Sequence, residues 1–591
     1  MKEIVPWRAT IVHYLFTETR PLDGIMRTVH RVIAKRSQVR RPLRRFIGFF
    51  LVVAVTLAIS ACSEQDETKR ARETPSQEAQ APAIGGTYRR PLGQDPSSLD
   101  PAKIADVYGV AVANQIFDGL VAFDALLNVV PALAQSWSAS RDGLVWTFHL
   151  RKAVQFHNGR EMSAEDIVYS LSRLLDPAVG SPNGLLLDKV KGAAEFRAGT
   201  TTVLEGIKAI DRYTVEVSLS EPFLPFISIL GMAHTSIVPR DEVERLGPDF
   251  GTAPVGTGPF RFVRWVRGHE ILLETNKHYF GGRPALDRVR FVIFPGSTQS
   301  VMLKAFEQGE LEESPLTPDR RKEFLEAATY KVVRKPTLSL RLYGFNLERP
   351  PFQKREVRQA FNYAIDKIRL NQEVYGGLYV VARGILPPGM PGYSPEVQGY
   401  DYDPARAKTL LAESGHPGGK HLTPVTLLIA ARSVEARAET QIIQHDLAVL
   451  DVQVDVQESD DWPTFRGALE QGDVQLFRYT WNADYPDPDN FLYPLFHSAG
   501  QRNYYRYHNP EVDKLLDDAR GETDDLRRID LYRQAEQLIL QDAPAVMLLH
   551  YTYESVFQPY VEGVVVSALG EAYVSLRKVW LKQTGKTSGG K

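Results

Sequence analysis

Within the stretch Val474 to His497 an acid and a base stand among aromatic side chains: Asp484 follows Trp481, and Arg478 lies six residues before the acid. A carboxylate and a guanidinium near one chain end, walled by aromatic rings, suit a ligand that carries both an amine and a carboxylate. The same residues also allow a plainer arrangement, in which Asp484 caps a turn and Arg478 is a solvated strand position, since Asp near Pro favours turns. Val474, Leu476 and the residues to Trp481 predict a strand, because β-branched, aromatic and aliphatic side chains dominate. Pro486 and Pro488 then end sheet pairing, having no N–H to donate. Asp484 therefore sits between a strand end and a proline-stiffened loop.

Other chemistries find little support. No Gly-x-Ser-x-Gly, His-Glu-x-x-His or P-loop is present. A dispersed catalytic site would escape such a search, but nothing supports one, and no enzyme activity is expected. Gly256-Thr257-Gly258-Pro259-Phe260 is not a dinucleotide fingerprint, because Arg261 follows and the third glycine is missing. Gly415 to Lys420 is one residue short of a phosphate loop. His149 and His157 are eight residues apart, a separation that suits no common metal-ligand pattern. The single cysteine, Cys62, rules out an intrachain disulfide and a cysteine-cluster metal site. No cofactor and no metal is implied.

At 591 residues the chain can hold two or three domains, and 43% hydrophobic with 24% charged residues is ordinary for a globular protein. Residues 27–62 read as a targeting segment. Arg27, Arg31, Lys35, Arg36, Arg40, Arg41, Arg44 and Arg45 form a basic region, and Phe46 to Ile59 an apolar run too short for a comfortable membrane span. The long basic region leaves Met26 as an alternative start. The run ends in Ile59-Ser60-Ala61-Cys62, which resembles a bacterial lipobox; cleavage before Cys62 and lipidation of that residue follow from the resemblance, with an uncleaved anchor as the alternative. Residues 62–84 are polar and read as a disordered tether. Segment 1–61 carries 11 Lys+Arg and 3 Asp+Glu, so of 70 basic and 72 acidic residues its removal leaves 59 and 69, a net charge of −10. An acidic surface argues against nucleic acid as a partner.

Beyond the tether, helical and strand signals alternate. Val110, Ala113, Ile116, Phe117 and Leu120 keep helical spacing. Leu144, Trp146, Phe148 and Leu150 alternate as a half-buried strand, and Ser163 with Asp166 opens a helix as a capping box. Val215, Val217 and Leu219 line one strand face; Val357, Ala360, Phe361, Ala364 and Ile365 line one helix face. Strands Val425 to Ala430 and Val452 to Val456 flank a helix as an α/β unit. These signals alone give a mixed α/β, multi-domain chain.

Several motifs, in order, resemble the bacterial extracellular solute-binding proteins of family 5, which serve ABC importers of oligopeptides, dipeptides and nickel. They are Ser98-Leu99-Asp100-Pro101, Phe117 with Gly119-Leu120, Trp146-Thr147-Phe148, Phe156-His157 with Gly159, Gly256 to Phe260, Phe345-Asn346, Ala364-Ile365-Asp366, and Trp481 with Ala483-Asp484-Tyr485. The resemblance implies an α/β, two-lobed periplasmic-binding-protein clamshell with an extra small domain inserted in the first lobe. It implies lobe I at 85–120, 235–345 and 553–591, the inserted domain at 121–234 and lobe II at 346–552. It implies that Asp484 pairs with a peptide's amine and that Arg478 can meet its carboxylate. Trp481, Asn482, Ala483 and Tyr485 would flank the ligand, Val107 would make a main-chain contact, and Trp462 would wall a side-chain pocket or pack in the core. Asn183 departs from the family pattern, where a Tyr can face the ligand after Ser-Pro. The implied protein is a monomer on the periplasmic or extracytoplasmic side, anchored by lipid at Cys62. It would capture short peptides by hinge closure and deliver them to an ABC permease in the membrane. The alternatives are the same fold binding a nickel complex, a glycan or another small solute, and an enzyme.

Overall fold

The computed structural model describes residues 82–582 apart from 297, 298, 328, 421, 423, 431–433 and 460. The targeting segment, Cys62 and the tether up to residue 81 lie outside the described residues. The alternation at Trp146, Phe148 and Leu150 becomes the strand Val145–Leu150, with those three side chains buried. It joins an antiparallel sheet in the order Ala134–Ala139, Val145–Leu150, Thr214–Ser218, Ile207–Asp211. The helix Ala164–Leu175 lays Ile167, Leu171 and Leu174 against Phe148, Val215 and Val217 in one core. At its start the Ser163 N–H donates to Asp166 Oδ2 at 2.9 Å, satisfying a donor the helix cannot.

This small domain interrupts a lobe built on the sheet Thr87–Leu92, Arg288–Ile293, Glu270–Thr275, Phe260–Val266. Tyr88, Phe260 and Phe291 from that sheet pack with Val112 and Ile116 of the helix Val107–Ile116. Val574, Leu576 and Val579, from the far end of the chain, close the same core. A second sheet of this lobe orders Glu313–Pro315, Thr552–Phe557 and Lys331–Pro336.

The other lobe is organised by six strands in the order Val380–Val381, Ala545–His550, Ser339–Phe345, Leu476–Asn482, Val425–Ala430, Val454–Ser459. Successive side chains of a strand face opposite sides, so both faces carry cores. Leu342, Phe477 and Tyr479 belong to one, and Tyr343, Phe345 and Leu476 to the other. The architecture is therefore α/β and two-lobed, with a small domain inserted in the first lobe.

Two chain passages join the lobes. Lys331–Pro336 continues through Thr337 and Leu338 into Ser339–Phe345, and Ala545–His550 continues through Tyr551 into Thr552–Phe557. The passages are tied side by side: Thr337 N–H donates to the Tyr551 carbonyl and Tyr551 N–H to the Ser339 hydroxyl, both at 2.8 Å. Ser339–Phe345 thus lies in the six-stranded sheet, ahead of the lobe boundary expected at 346. The run Leu338 to Phe345 reads equally well as the last strand of one lobe or the first of the next, and only its pairing decides.

The inserted domain is pinned to the first lobe by a buried ion pair. Arg173 Nη1 and Nη2 donate to the two Asp100 carboxylate oxygens at 2.9 and 2.8 Å, which explains the Asp in Ser98-Leu99-Asp100-Pro101. Arg173→Met strands a buried carboxylate and is expected to cost about 3–5 kcal/mol. Adding Asp100→Asn should recover part of it, because a neutral amide strands no charge. An unchanged urea midpoint in Arg173→Met would show the pair to be dispensable.

Candidate functional site

The strand Leu476–Asn482 ends where the aromatic stretch predicts, two residues short of Asp484. It pairs antiparallel with Ser339–Phe345 along its whole length, Ser339 opposite Asn482, Arg341 opposite Thr480 and Tyr343 opposite Arg478. Its other edge pairs with Val425–Ala430 at Leu476 and Phe477. From Arg478 to Asn482 that edge has no strand partner among the described residues. Free N–H and C=O groups on a strand edge are a template for another extended chain.

Asp484 stands at the end of this open edge. Its N–H donates to Asn490 Oδ1 at 2.9 Å, and Trp481 Nε1 donates to the same oxygen at 3.3 Å. One buried amide thereby fixes both the loop and the indole. The Asp484 side chain is open to solvent by area, yet protein surrounds it enough that burial raises its carboxyl above the ordinary value, against the opposing effects of Asn490 and Arg502. Among the described residues no cation forms an ion pair with Asp484. Its charge is nevertheless felt in the first lobe: burial, and then the Asp484 charge, push the Tyr573 hydroxyl above its usual range.

The loop behind Asp484 is held by charges that are paired. Arg520 Nε and Nη2 donate to the Asp489 carboxylate at 2.7 and 3.0 Å, and Arg528 pairs with Asp487. The Arg520 guanidinium also stacks on Tyr493, 3.2 Å from the ring centre, and reaches Phe223 of the inserted domain at 5.3 Å. Buried pairs of this kind contribute little net stability but are costly to break. They fix the Pro486 to Asn490 segment, and with it the carboxylate it presents.

The expected site residues divide. Trp481, Asn482, Ala483 and Asp484 fall together at the strand end, and Ala483 N–H donates to the Leu338 carbonyl in one of the inter-lobe passages, at 2.8 Å. Tyr485 departs from its expected place beside the ligand: its ring is buried against the inserted domain's core and its hydroxyl donates to Asp489 at 2.9 Å. Arg478 departs too. Its Nε donates to Glu439 Oε1 at 2.7 Å, so the carboxylate it was expected to find on a ligand is already supplied by the helix Val434–Ala448. Trp462 opens the helix Trp462–Gln471, half exposed, with its ring stacked on Phe465 and Tyr479 at 5.4 and 6.3 Å. Val107 opens the helix Val107–Ile116, exposed, beside the capping residue Asp106. Among the described residues no hydrogen bond joins Val107 to Asp484.

Glu439 was not foreseen. It is fully buried and also accepts from the Tyr343 and Tyr375 hydroxyls, each at 2.6 Å. Burial alone would push its carboxyl up; the charges of Arg341 and Arg478 overcome that and hold it below its ordinary value. A signal existed, for Glu439 lies within the buried stripe Ala436, Thr440, Ile443, Leu447, where an unpaired charge is almost never found. Among the described residues no group of three His, Cys, Asp or Glu could hold a metal ion.

The family model for bacterial extracellular solute-binding proteins, family 5 Middle, matches residues 128–503. The heme-binding protein A of Haemophilus influenzae is 31% identical over 540 residues, 88% of this chain and 96% of that protein. The dipeptide-binding protein of Escherichia coli is 29% identical, covering 81% of this chain and 91% of its own length. Among solved structures, the ABC transporter-associated periplasmic binding protein DppA of Helicobacter pylori, in complex with the peptide STSA, superposes with a TM-score of 0.69 at 29% identity, over 85% of this chain and 99% of that one.

Glu439→Gln removes the buried carboxylate and leaves Arg478 without its partner, which is expected to cost about 3–5 kcal/mol at neutral pH. Because the folded carboxyl is held low, its stabilisation is full above the unfolded-state value and disappears as pH falls through the folded one. The gap between wild type and Glu439→Gln in urea should therefore close toward acid. A gap that stays constant with pH would show that the ionised form is not what stabilises.

Proposed function

The chain belongs to the bacterial extracellular solute-binding proteins of family 5, the binding proteins of ABC importers, and from that premise we propose that it captures short peptides between its lobes and hands them to a membrane permease. One observation carries the reading: among the described residues the Asp484 carboxylate has no ion-pair partner and stands at the end of a strand edge unpaired from Arg478 to Asn482. A peptide lying along that edge gains main-chain hydrogen bonds indifferent to its side chains. Its ammonium group on Asp484 sets the register. The relative named for dipeptides and the solved neighbour holding a tetrapeptide support the same class of ligand. A second reading, a non-peptide solute, draws on the relative named for heme.

The two inter-lobe passages form the hinge, and closure over the ligand excludes water from the Asp484 recess. The mature protein is a monomer with no catalytic role. It is held on the periplasmic or extracytoplasmic face by lipid at Cys62, at the end of its polar tether, and Cys62→Ala should abolish incorporation of a labelled acyl chain. Label retained by that variant would defeat the anchor.

A contact between ammonium and carboxylate in a closed cleft is a charge-assisted hydrogen bond, and removing one partner strands the other. Asp484→Asn keeps the shape and should weaken peptide binding by roughly 2–5 kcal/mol. Acetylating the peptide's amine should cost wild type a similar amount, and the two losses should not add. Isothermal titration with free and acetylated tri-alanine reads all four corners. If acetylation costs as much in Asp484→Asn as in wild type, Asp484 caps a turn and the amine lies elsewhere. Small-angle scattering should show compaction at saturating peptide; an unchanged radius of gyration would argue against a closing hinge.

A further inference from the structure

Two arginines face the same side of the six-stranded sheet, and they are in different states. Arg478 is bound through Nε and Nη2 to Glu439. Arg341 sits on the neighbouring strand, directly opposite Thr480, two positions nearer the end that carries Asp484. Its residue is 9% exposed. One terminal nitrogen meets the Tyr551 hydroxyl, and the guanidinium lies 5.4 Å from the centre of that ring. Its Nε is buried with no hydrogen-bond partner, and among the described residues Arg341 makes no ion pair. An unsatisfied, desolvated guanidinium N–H is expensive and seldom left so without a purpose.

Glu439 does not compensate it. That carboxylate already accepts from Arg478, Tyr343 and Tyr375, and its charge is shared between the two arginines. The other titratable groups on this side are Tyr379, Tyr551, Arg321 and Glu435; Arg321 is paired with Glu554, and Glu435 is solvent-exposed on the helix Val434–Ala448, where its charge is screened. On this side of the sheet Arg341 and the largely buried Arg478 thus face one buried anion, Glu439. At the other end, Asp484 forms no ion pair among the described residues. The two vacancies are complementary to a zwitterion.

We propose that Arg341 receives the carboxylate end of the bound ligand, with Arg478 serving as a positioning residue whose charge is already spent on Glu439. The inference rests on the reading of Asp484 as the amine site. It also sets a length. Thr480, opposite Arg341, is four residues from Asp484, about 13 Å along an extended strand, whereas Arg478 is six residues away, about 20 Å. An extended chain advances roughly 3.3–3.6 Å per residue, so a carboxylate on Arg341 belongs to a peptide of about three or four residues, and longer peptides would have to displace Arg478 from Glu439.

The test uses tri- and tetra-alanine, each as the free acid, the carboxy-terminal amide and the N-acetyl derivative, titrated into the full mature chain. In wild type, amidation should weaken binding roughly 30-fold or more, the loss expected when a buried charge pair loses one member. In Arg341→Gln the free acid should bind no better than the amide, within a factor of about three by the usual spread for uncoupled changes, while the acetylation penalty stays as in wild type. Arg341→Lys retains the charge and should restore part of the amidation penalty, which separates a lost contact from a disturbed fold. Arg478→Gln leaves the Glu439 charge to Arg341 alone and should lower the amidation penalty without removing it. An amidation penalty as large in Arg341→Gln as in wild type, with the acetylation penalty intact, overturns Arg341 and leaves Asp484 standing. A wild type indifferent to acetylation overturns the amine site, and this inference with it.

Discussion

The candidate site depends on a carboxylate that forms no ion pair among the described residues. Moving a charge out of water is costly, and proteins usually answer by pairing it or by neutralising it. Around Asp484 the pairing is done for its neighbours only: Asp487 has Arg528 and Asp489 has Arg520. Those two pairs, with Asn490 holding the Asp484 N–H and the Trp481 indole, make the loop rigid. Rigidity matters because a mobile loop would swing the carboxylate into bulk water and relieve it. Held as it is, Asp484 has its carboxyl raised above the ordinary value by burial, and in the proposed reading a ligand's amine supplies the cation.

The six-stranded sheet turns that local demand into a ruler. Its antiparallel central pair sets Ser339, Arg341 and Tyr343 opposite Asn482, Thr480 and Arg478, so charge and hydroxyl groups are spaced along one face at fixed intervals. Glu439 and its ring of donors close the inner end of that face. The outer end meets the inter-lobe passages, where Tyr551 touches Arg341 and lies in one of the two. A ligand that engages this face would therefore also touch a segment that joins the lobes.

Local patterns in the sequence reached some of this directly. The alternation Trp146, Phe148, Leu150 and the Ser163–Asp166 box are short-range signals, and strand and helix formed where they indicate. The end of the strand before Asp484 follows from the prolines. What local pattern could not carry was pairing over long separations. Whether Ser339–Phe345 belongs to one lobe or the other depends on its hydrogen bonds to strands more than a hundred residues away in sequence. Arg478 read as a free cation because its partner, Glu439, lies 39 residues earlier on a different element. Tyr485 read as a ligand contact because it stands in the motif that resembles the family's ligand-binding segment, while its side chain turns into the inserted domain's core. Glu439 and Arg341 were visible as charges within apolar runs, a sign of burial that says nothing of which charge meets which.

The central claim is that a ligand's amine occupies the recess at Asp484. The most direct measurement is the crystal structure of the tri-alanine complex. The account predicts the peptide extended along the edge Arg478 to Asn482, its ammonium nitrogen about 3 Å from the Asp484 carboxylate. A peptide bound in the opposite direction, or an ammonium group placed away from Asp484, would contradict it.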